Sequence, residues 1–223
     1  MCGRYDSTLP TELVARWFRI TNAAAEMAPR QAVAPGTAAP VVRFNPQSRE
    51  RALDCLRFGL VPHWAKDPSV GARLFNARAE SIAAKPTFRD AFVKRRCLIP
   101  ASAFYEGSKD TQPRQAYAIR LRSGELFAMA GLWEGWRTPE GAWLRSFAIV
   151  TTAANPLLAP IHDRMPAIVA PEDYAAWLGE QAATPEALRA LLRPFPAERM
   201  TAAPVGTAPR KPAAPDAAQL PLP

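Results

Sequence analysis

Apolar positions recur with two periods along this chain, and the two periods rarely overlap. In TELVARWFRI, residues 11–20, Leu13, Trp17 and Ile20 stand at helical spacing, which predicts an amphipathic helix with these three on its apolar face. Beyond it the text is mostly strand-like: APVVRF at 39–44, RALDCLRF at 51–58 and RRCLIPA at 95–101. QAYAIRLR places Tyr117, Ile119 and Leu121 at every second position, Ser123-Gly124 supplies a turn, and LFAMAGLW follows, which together predict a hairpin. WLRSFAIVTT at 143–152 is one more strand, and helices are expected at 86–94, at 171–178 after Pro171, and at 185–193 with Thr184 as cap and Pro185 first. Strands joined by short turns with few helices between them favour an α+β fold, a mainly antiparallel sheet or barrel with flanking helices, over a doubly wound one. With no internal repeat and no clean linker, residues 1–200 read as one domain and the Pro- and Ala-rich residues 201–223 as a poorly packed tail.

Charge changes the picture more than composition does. The 223 residues are 48% hydrophobic and 22% charged, as in an ordinary soluble globular chain, but the formal net charge is +8. Arginine carries most of it, since the only lysines are Lys66, Lys85, Lys94, Lys109 and Lys211. Such a field attracts polyanions and the guanidinium fork suits phosphate, although a coding bias towards Arg, Ala and Pro accounts for the charge equally well. Three cysteines, Cys2, Cys55 and Cys97, argue against a disulfide framework, and the two histidines, His63 and His162, show no metal-ligand spacing, so no metal or other cofactor is called for. No stretch approaches transmembrane length and the start has no apolar signal-like run, which leads us to expect a protein of the reducing cytoplasm with no membrane partner.

Four short stretches concentrate polar residues among apolar ones. The chain opens MCGR: removal of the initiator Met, which the small Cys side chain permits, would leave Cys2 with a free α-amine beside its thiol, and Arg4 would favour the thiolate. The bland reading is a small buried residue. In LFNARAE an extended backbone puts Asn76, Arg78 and Glu80 on one face, as an amide, a phosphate-pairing cation and a carboxylate to orient it, or simply as a solvated edge strand. In AFYEG, Glu106 shares a face with Phe104, where desolvation would raise its pKa towards the range useful for proton transfer; a structural ion pair fits as well. In PIHDRMP, prolines on both sides hold His162 and Arg164 in a rigid loop, the kind that often carries sites, though a lone histidine is more often structural.

Taken in order, MCGRY, VAPGT at 33–37, FGLVPHWAKD at 58–67, NARAE at 76–80, FYE at 104–106 and IHDRMP at 161–166 resemble the blocks of the SRAP family, the SOS response-associated peptidase-like or abasic site processing proteins. The resemblance runs from residue 1 to about 180 and implies a compact α+β domain around curved antiparallel sheets, with a basic channel for single-stranded DNA. It assigns catalytic positions to Cys2, Asn76, Glu106 and His162, phosphate contacts to Arg4, Arg78 and Arg164, and places near a single-strand/duplex junction to Pro35 and Trp64. Three departures stand out: Ala32 where the family often has Asn, Gly107 where it often has Trp after FYE, and Pro204-Val205-Gly206 in place of a Pro-Val-Ser-Asn pattern.

The implied activity is covalent capture of abasic DNA by a monomer. The amine of mature Cys2 would form an imine with the ring-opened aldehyde, and the thiol would close a thiazolidine, with strand cleavage by β-elimination as a side reaction. Two other readings stay open at this point. One is an N-terminal nucleophile amidohydrolase, since glutamine amidotransferases also begin Met-Cys-Gly, although no Asn-Gly dipeptide occurs here. The other is a non-covalent single-strand-binding protein.

Overall fold

The computed structural model describes residues 2–8, 10–20, 22–23 and 30–206. In chain order the strands are β1 (Tyr5–Ser7), β2 (Asn22–Ala23), β3 (Arg30–Val33), β4 (Ala38–Asn45), β5 (Glu50–Phe58), β6 (Asn76–Arg78) and β7 (Arg96–Ala101). They continue with β8 (Ala103–Gly107), β9 (Ala116–Leu121), β10 (Phe127–Arg137), β11 (Trp143–Ala153), β12 (Arg164–Pro166), β13 (Ile168–Val169) and β14 (Met200–Val205). The helices are α1 (Thr11–Trp17), α2 (Pro86–Lys94), α3 (Tyr174–Leu178) and α4 (Pro185–Ala190), the last capped by the Thr184 hydroxyl, which accepts from the Ala187 N–H at 3.2 Å. None of them is long and apolar enough to cross a membrane.

Strands β11, β10, β7, β4 and β5 pair in that order, and β5 returns to β11 through a parallel contact, Ser146 opposite Arg57 and Phe147 opposite Phe58. That contact closes a mixed barrel. A second, antiparallel sheet runs β14-β9-β8-β1-β3. The period-two alternation of the barrel strands sends one set of side chains, Val42, Leu53, Leu98, Ala130 and Val150 among them, to a core shared with α1, α2 and α3. The opposite set, with Val41, Cys97, Ile99, Met129, Phe147 and Ile149, joins Cys2, Tyr5, Phe104 and Ile119 of the N-terminal segment and second sheet. There Phe58 stacks on Phe147 at 5.0 Å between ring centroids, and Tyr5 meets Phe58 edge-on at 5.9 Å. Being covered on both sides, β10 and β11 read as nearly unbroken apolar runs. Gly131 allows β10 to approach β7, because a Cβ there would fall 2.7 Å from the Cys97 sulfur.

Three local expectations change. Helix α1 is present but turned: Val14 and Phe18 are buried while Leu13 and Trp17 are 48% and 39% exposed. The ring of Phe18 stacks on Tyr174 at 5.3 Å, so packing against α3, rather than the largest apolar spacing, selects the buried face. The turn at Ser123-Gly124 forms, with the Gly124 N–H on the Leu121 carbonyl at 3.1 Å, but its strands do not pair as a hairpin. Strand β9 has both edges occupied by β8 and β14, and β10 enters the barrel between β7 and β11. Finally, the domain does not stop at residue 200. Strand β14 pairs along β9 from Met200 opposite Leu121 to Val205 opposite Ala116, and the Gln115 side-chain amide donates to the Val205 carbonyl at 2.6 Å. Pro204 is tolerated because β14 is the sheet's edge. The rest of the expected tail, residues 207–223, lies outside the described residues.

Candidate active site

Strand pairing carries Cys2 to Glu106. Strand β1 runs antiparallel to β8 with Tyr5 opposite Phe104, and the Tyr105 N–H donates to the Arg4 carbonyl at 2.9 Å. Continuing that register towards the N-terminus brings residue 2 level with Glu106 and Gly107. From the barrel side, β6 lies parallel to β11 with Asn76 opposite Ile149, and the Asn76 side-chain amide donates to the Cys2 carbonyl at 3.1 Å. The other amide atom, Oδ1, is buried with no hydrogen-bond partner among the described residues. His162 arrives on the turn between β11 and β12, its N–H on the Leu158 carbonyl at 2.8 Å and the Ala154 N–H on the Asp163 carbonyl at 3.0 Å. His162 and Glu106 both feel the charges of Asp163 and Lys109, and Cys2 feels that of Glu106, so these three form one electrostatic cluster to which Asn76 is joined by its hydrogen bond.

The cluster shifts each of its titratable groups towards the neutral form. Cys2 is wholly buried, and burial together with the Glu106 carboxylate pushes its thiol far above the ordinary cysteine range. This corrects the expectation that Arg4 favours a thiolate: Arg4 lowers the thiol pKa only through a backbone hydrogen bond, which is the smallest of the influences named. Glu106 is 6% exposed; burial raises its pKa, with the positive amino terminus opposing and Asp163 adding to the rise. Burial likewise lowers the pKa of His162, whose Nδ1 accepts from the Arg164 N–H at 3.0 Å.

The arginines divide. Arg78 is exposed beyond the buried Ala77, and Arg4 is half-buried with no side-chain ion pair among the described residues. Arg164 is engaged instead with Glu80, as a two-point pair at 2.6 and 2.9 Å, and with the Thr151 carbonyl at 2.6 Å. Glu80 therefore orients Arg164 rather than Arg78, because β6 ends at Arg78 and the chain turns before Glu80. Pro35 sits in a turn closed by the Thr37 N–H on the Ala34 carbonyl at 3.1 Å, with Gly36 at φ 94°. Trp64 is 57% exposed on a loop whose Ala65 carbonyl accepts from the Trp136 indole at 2.7 Å. Two open clefts of about 490 and 440 Å³ are both lined by Trp133, and neither is lined by a residue of the cluster.

Sequence reasoning missed four residues here. Asp163 and Lys109 pair at 2.8 Å; the first lies inside the PIHDRMP stretch and the second three residues past Glu106, so both were within sight. Asp6 is buried and accepts from the Ala32 N–H at 2.7 Å and the Tyr105 hydroxyl at 2.6 Å, tying β1 to its neighbours. Exposed Arg114 crosses the bare Gly107, where a Cβ would meet its Cδ at 3.8 Å. No local pattern marks Arg114 or Asp6.

Fold and site together define a barrel protein organised around a cysteine at the second position, fixed by an asparagine amide beside a buried carboxyl of raised pKa. The chain belongs to the SOS response associated peptidase (SRAP) family, whose family model matches residues 1–212. It is 40% identical over 205 residues to the abasic site processing protein YoqW of Bacillus subtilis, covering 91% of each chain. It is 29% identical over 244 residues to the abasic site processing protein HMCES of Mus musculus, covering 87% of this chain and 69% of that one. Among solved structures, a protein of Bordetella bronchiseptica aligns with a TM-score of 0.79 at 28% identity, over 92% of this chain and 99% of the other. A protein of Bacteroides thetaiotaomicron aligns with a TM-score of 0.81 at 25% identity, over 92% of each.

Proposed function

We propose that this chain, once Met1 is removed, processes abasic sites by joining Cys2 covalently to the aldehyde of the opened sugar in single-stranded DNA. The observation that carries the reading is the seating of Cys2 between the Asn76 amide and the raised-pKa carboxyl of Glu106, in a family whose curated relatives bear the name abasic site processing protein. The α-amine adds to the aldehyde carbon, and Glu106, whose protonated form is favoured by burial, gives a proton to the oxygen that leaves as water, so that the nitrogen keeps its own proton as an iminium. The thiol then adds to the imine carbon. A new carbon–sulfur bond forms as the C=N bond becomes single, the sulfhydryl proton returns to the Glu106 carboxylate, and water is the only product released. A neutral thiol suits this order, since it does not compete with the amine for the aldehyde.

Asn76 holds the terminal residue in place, and His162 assists opening of the sugar ring. Arg4 and Arg78 bind phosphates, while Arg164 acts through Glu80 and Thr151 by fixing the His162 turn. Pro35 and exposed Trp64 meet bases near a single-strand/duplex junction, where aromatic stacking is tolerant of sequence. The working unit is a monomer. Self-removal of Met1 and β-elimination from an imine that fails to close are its accompanying activities. The test is incubation with a uracil oligonucleotide treated with glycosylase, followed by denaturing electrophoresis. A shifted band, absent with Cys2→Ser and with undamaged oligonucleotide, is the expected result. Ammonia release from glutamine without any shifted band would favour an amidohydrolase, and a Cys2→Ala variant indistinguishable from wild type would favour a non-covalent binder.

A further inference from the structure

One nitrogen of His162 faces two partners that make opposite demands. The Arg164 backbone N–H lies 3.0 Å from Nδ1 and needs a lone pair there. The Asp163 carboxylate lies 2.9 Å from the same Nδ1 and is attracted only to a proton there. Both bonds cannot exist at once. The Asp163 oxygen in question is also held by the Lys109 ammonium at 2.8 Å, across 54 residues of sequence, so the carboxylate is tethered beside the ring even though its side chain is 66% exposed. The Arg164 amide is fixed from its other side, because its guanidinium is locked to Glu80 and Thr151.

We propose that Asp163, tethered by Lys109, is a positioning residue for His162: proton uptake at Nδ1 exchanges the Arg164 amide for the Asp163 carboxylate, and the balance between the two sets the form in which the ring meets the substrate. The charged groups around the ring are Asp163 and Lys109, the positive amino terminus and, beyond them, Glu106 and Arg164. Burial favours the neutral ring, as does the amino terminus while Met1 is still attached; Asp163 opposes them, and Lys109 partly offsets Asp163. A neutral ring keeps the Arg164 bond; a protonated ring finds a carboxylate already waiting. Such a histidine can give and retake a proton without moving its backbone. The role in adduct chemistry rests on the proposed function, whereas the exchange of partners at Nδ1 does not.

The experiment separates the two. In a His63→Gln background, which leaves His162 as the only histidine, the imidazole is titrated by NMR in the parent, Asp163→Asn and Lys109→Met chains. Loss of Asp163 is expected to lower the midpoint by about half a pH unit or more, and loss of Lys109 to raise it. The acidic limb of the adduct pH–rate profile is expected to move in the same two directions. Shifts of opposite sign are not produced by general loosening of the turn. Midpoints that stay put in both variants, or move the same way, overturn the proposal; Lys109 is half-exposed, so its variant is informative even if Asp163→Asn disturbs the turn. Midpoints that move as expected in a protein that forms no adduct would refute the proposed function and leave the partner exchange standing.

Discussion

Replacing Glu106 by Gln separates chemistry from stability at one atom. The amide keeps the shape of the acid and a hydrogen-bond donor but neither gives nor accepts a proton. Positioned acid–base groups contribute about 10²- to 10⁴-fold, some 3–5 kcal/mol of barrier. A carboxyl only 6% exposed, with little bulk water to replace it, belongs in the upper half of that range. Folding should respond in the other direction. Burial raises the pKa of Glu106, so the native state holds its proton more tightly than the unfolded chain does. The stability this gives is complete below the unfolded pKa and is lost as pH rises through the folded one. A Gln, which never ionises, avoids that loss, so Glu106→Gln should unfold at higher urea than the parent at pH 8, and at similar urea below about pH 4. Rates come from timed quenching of abasic oligonucleotide reactions on denaturing gels across pH 5 to 8, and binding from anisotropy with undamaged strand. Equal adduct rates throughout that range would refute the proton-transfer role. A variant less stable at pH 8 would refute the electrostatic reading of its burial.

Ala32 holds φ at 53°, a conformation costly for a residue with a Cβ, and Ala32→Gly is expected to stabilise the fold by about 0.5–1 kcal/mol after the added chain entropy, read from urea midpoints; destabilisation would mean that the Asp6 bond already absorbs the strain. Arg78→Gln and Arg164→Gln should behave differently although both remove one charge. The first should flatten the salt dependence of single-strand affinity by about 0.7 in log–log slope with unchanged stability. The second should cost about 1–2 kcal/mol of stability, mainly through the lost bond to the Thr151 carbonyl, since Glu80 is half-exposed, and should leave the slope nearly unchanged. Equal slopes in the two variants would return Arg164 to the phosphate contacts. Arg114→Gln should also reduce the slope if its guanidinium, carried across Gly107, faces the strand.

Much of the site could be read along the chain because its chemistry lies in short contiguous runs. The spacing of Asn76 and Arg78, the Phe104–Glu106 face and the proline-bounded turn of His162 are local properties, set by period-two geometry and backbone restriction, and they survive folding unchanged. The same holds for α2 and for the Thr184 cap, whose signals lie within one turn of chain.

What sequence alone determined here was which residues are available and which segments are extended; what the tertiary structure decided was who meets whom. Nothing in QAYAIRLR says that its edges belong to β8 and β14, and nothing near Arg57 says that it closes a barrel against Ser146. The Arg164–Glu80 pair spans 84 residues, and the neutral thiol of Cys2 comes from burial beneath strands more than 70 residues away. Local preferences act over a few bonds and are written in adjacent residues. Partner choice and desolvation are sums over distant surfaces, and they acquire values only once the sheets have closed.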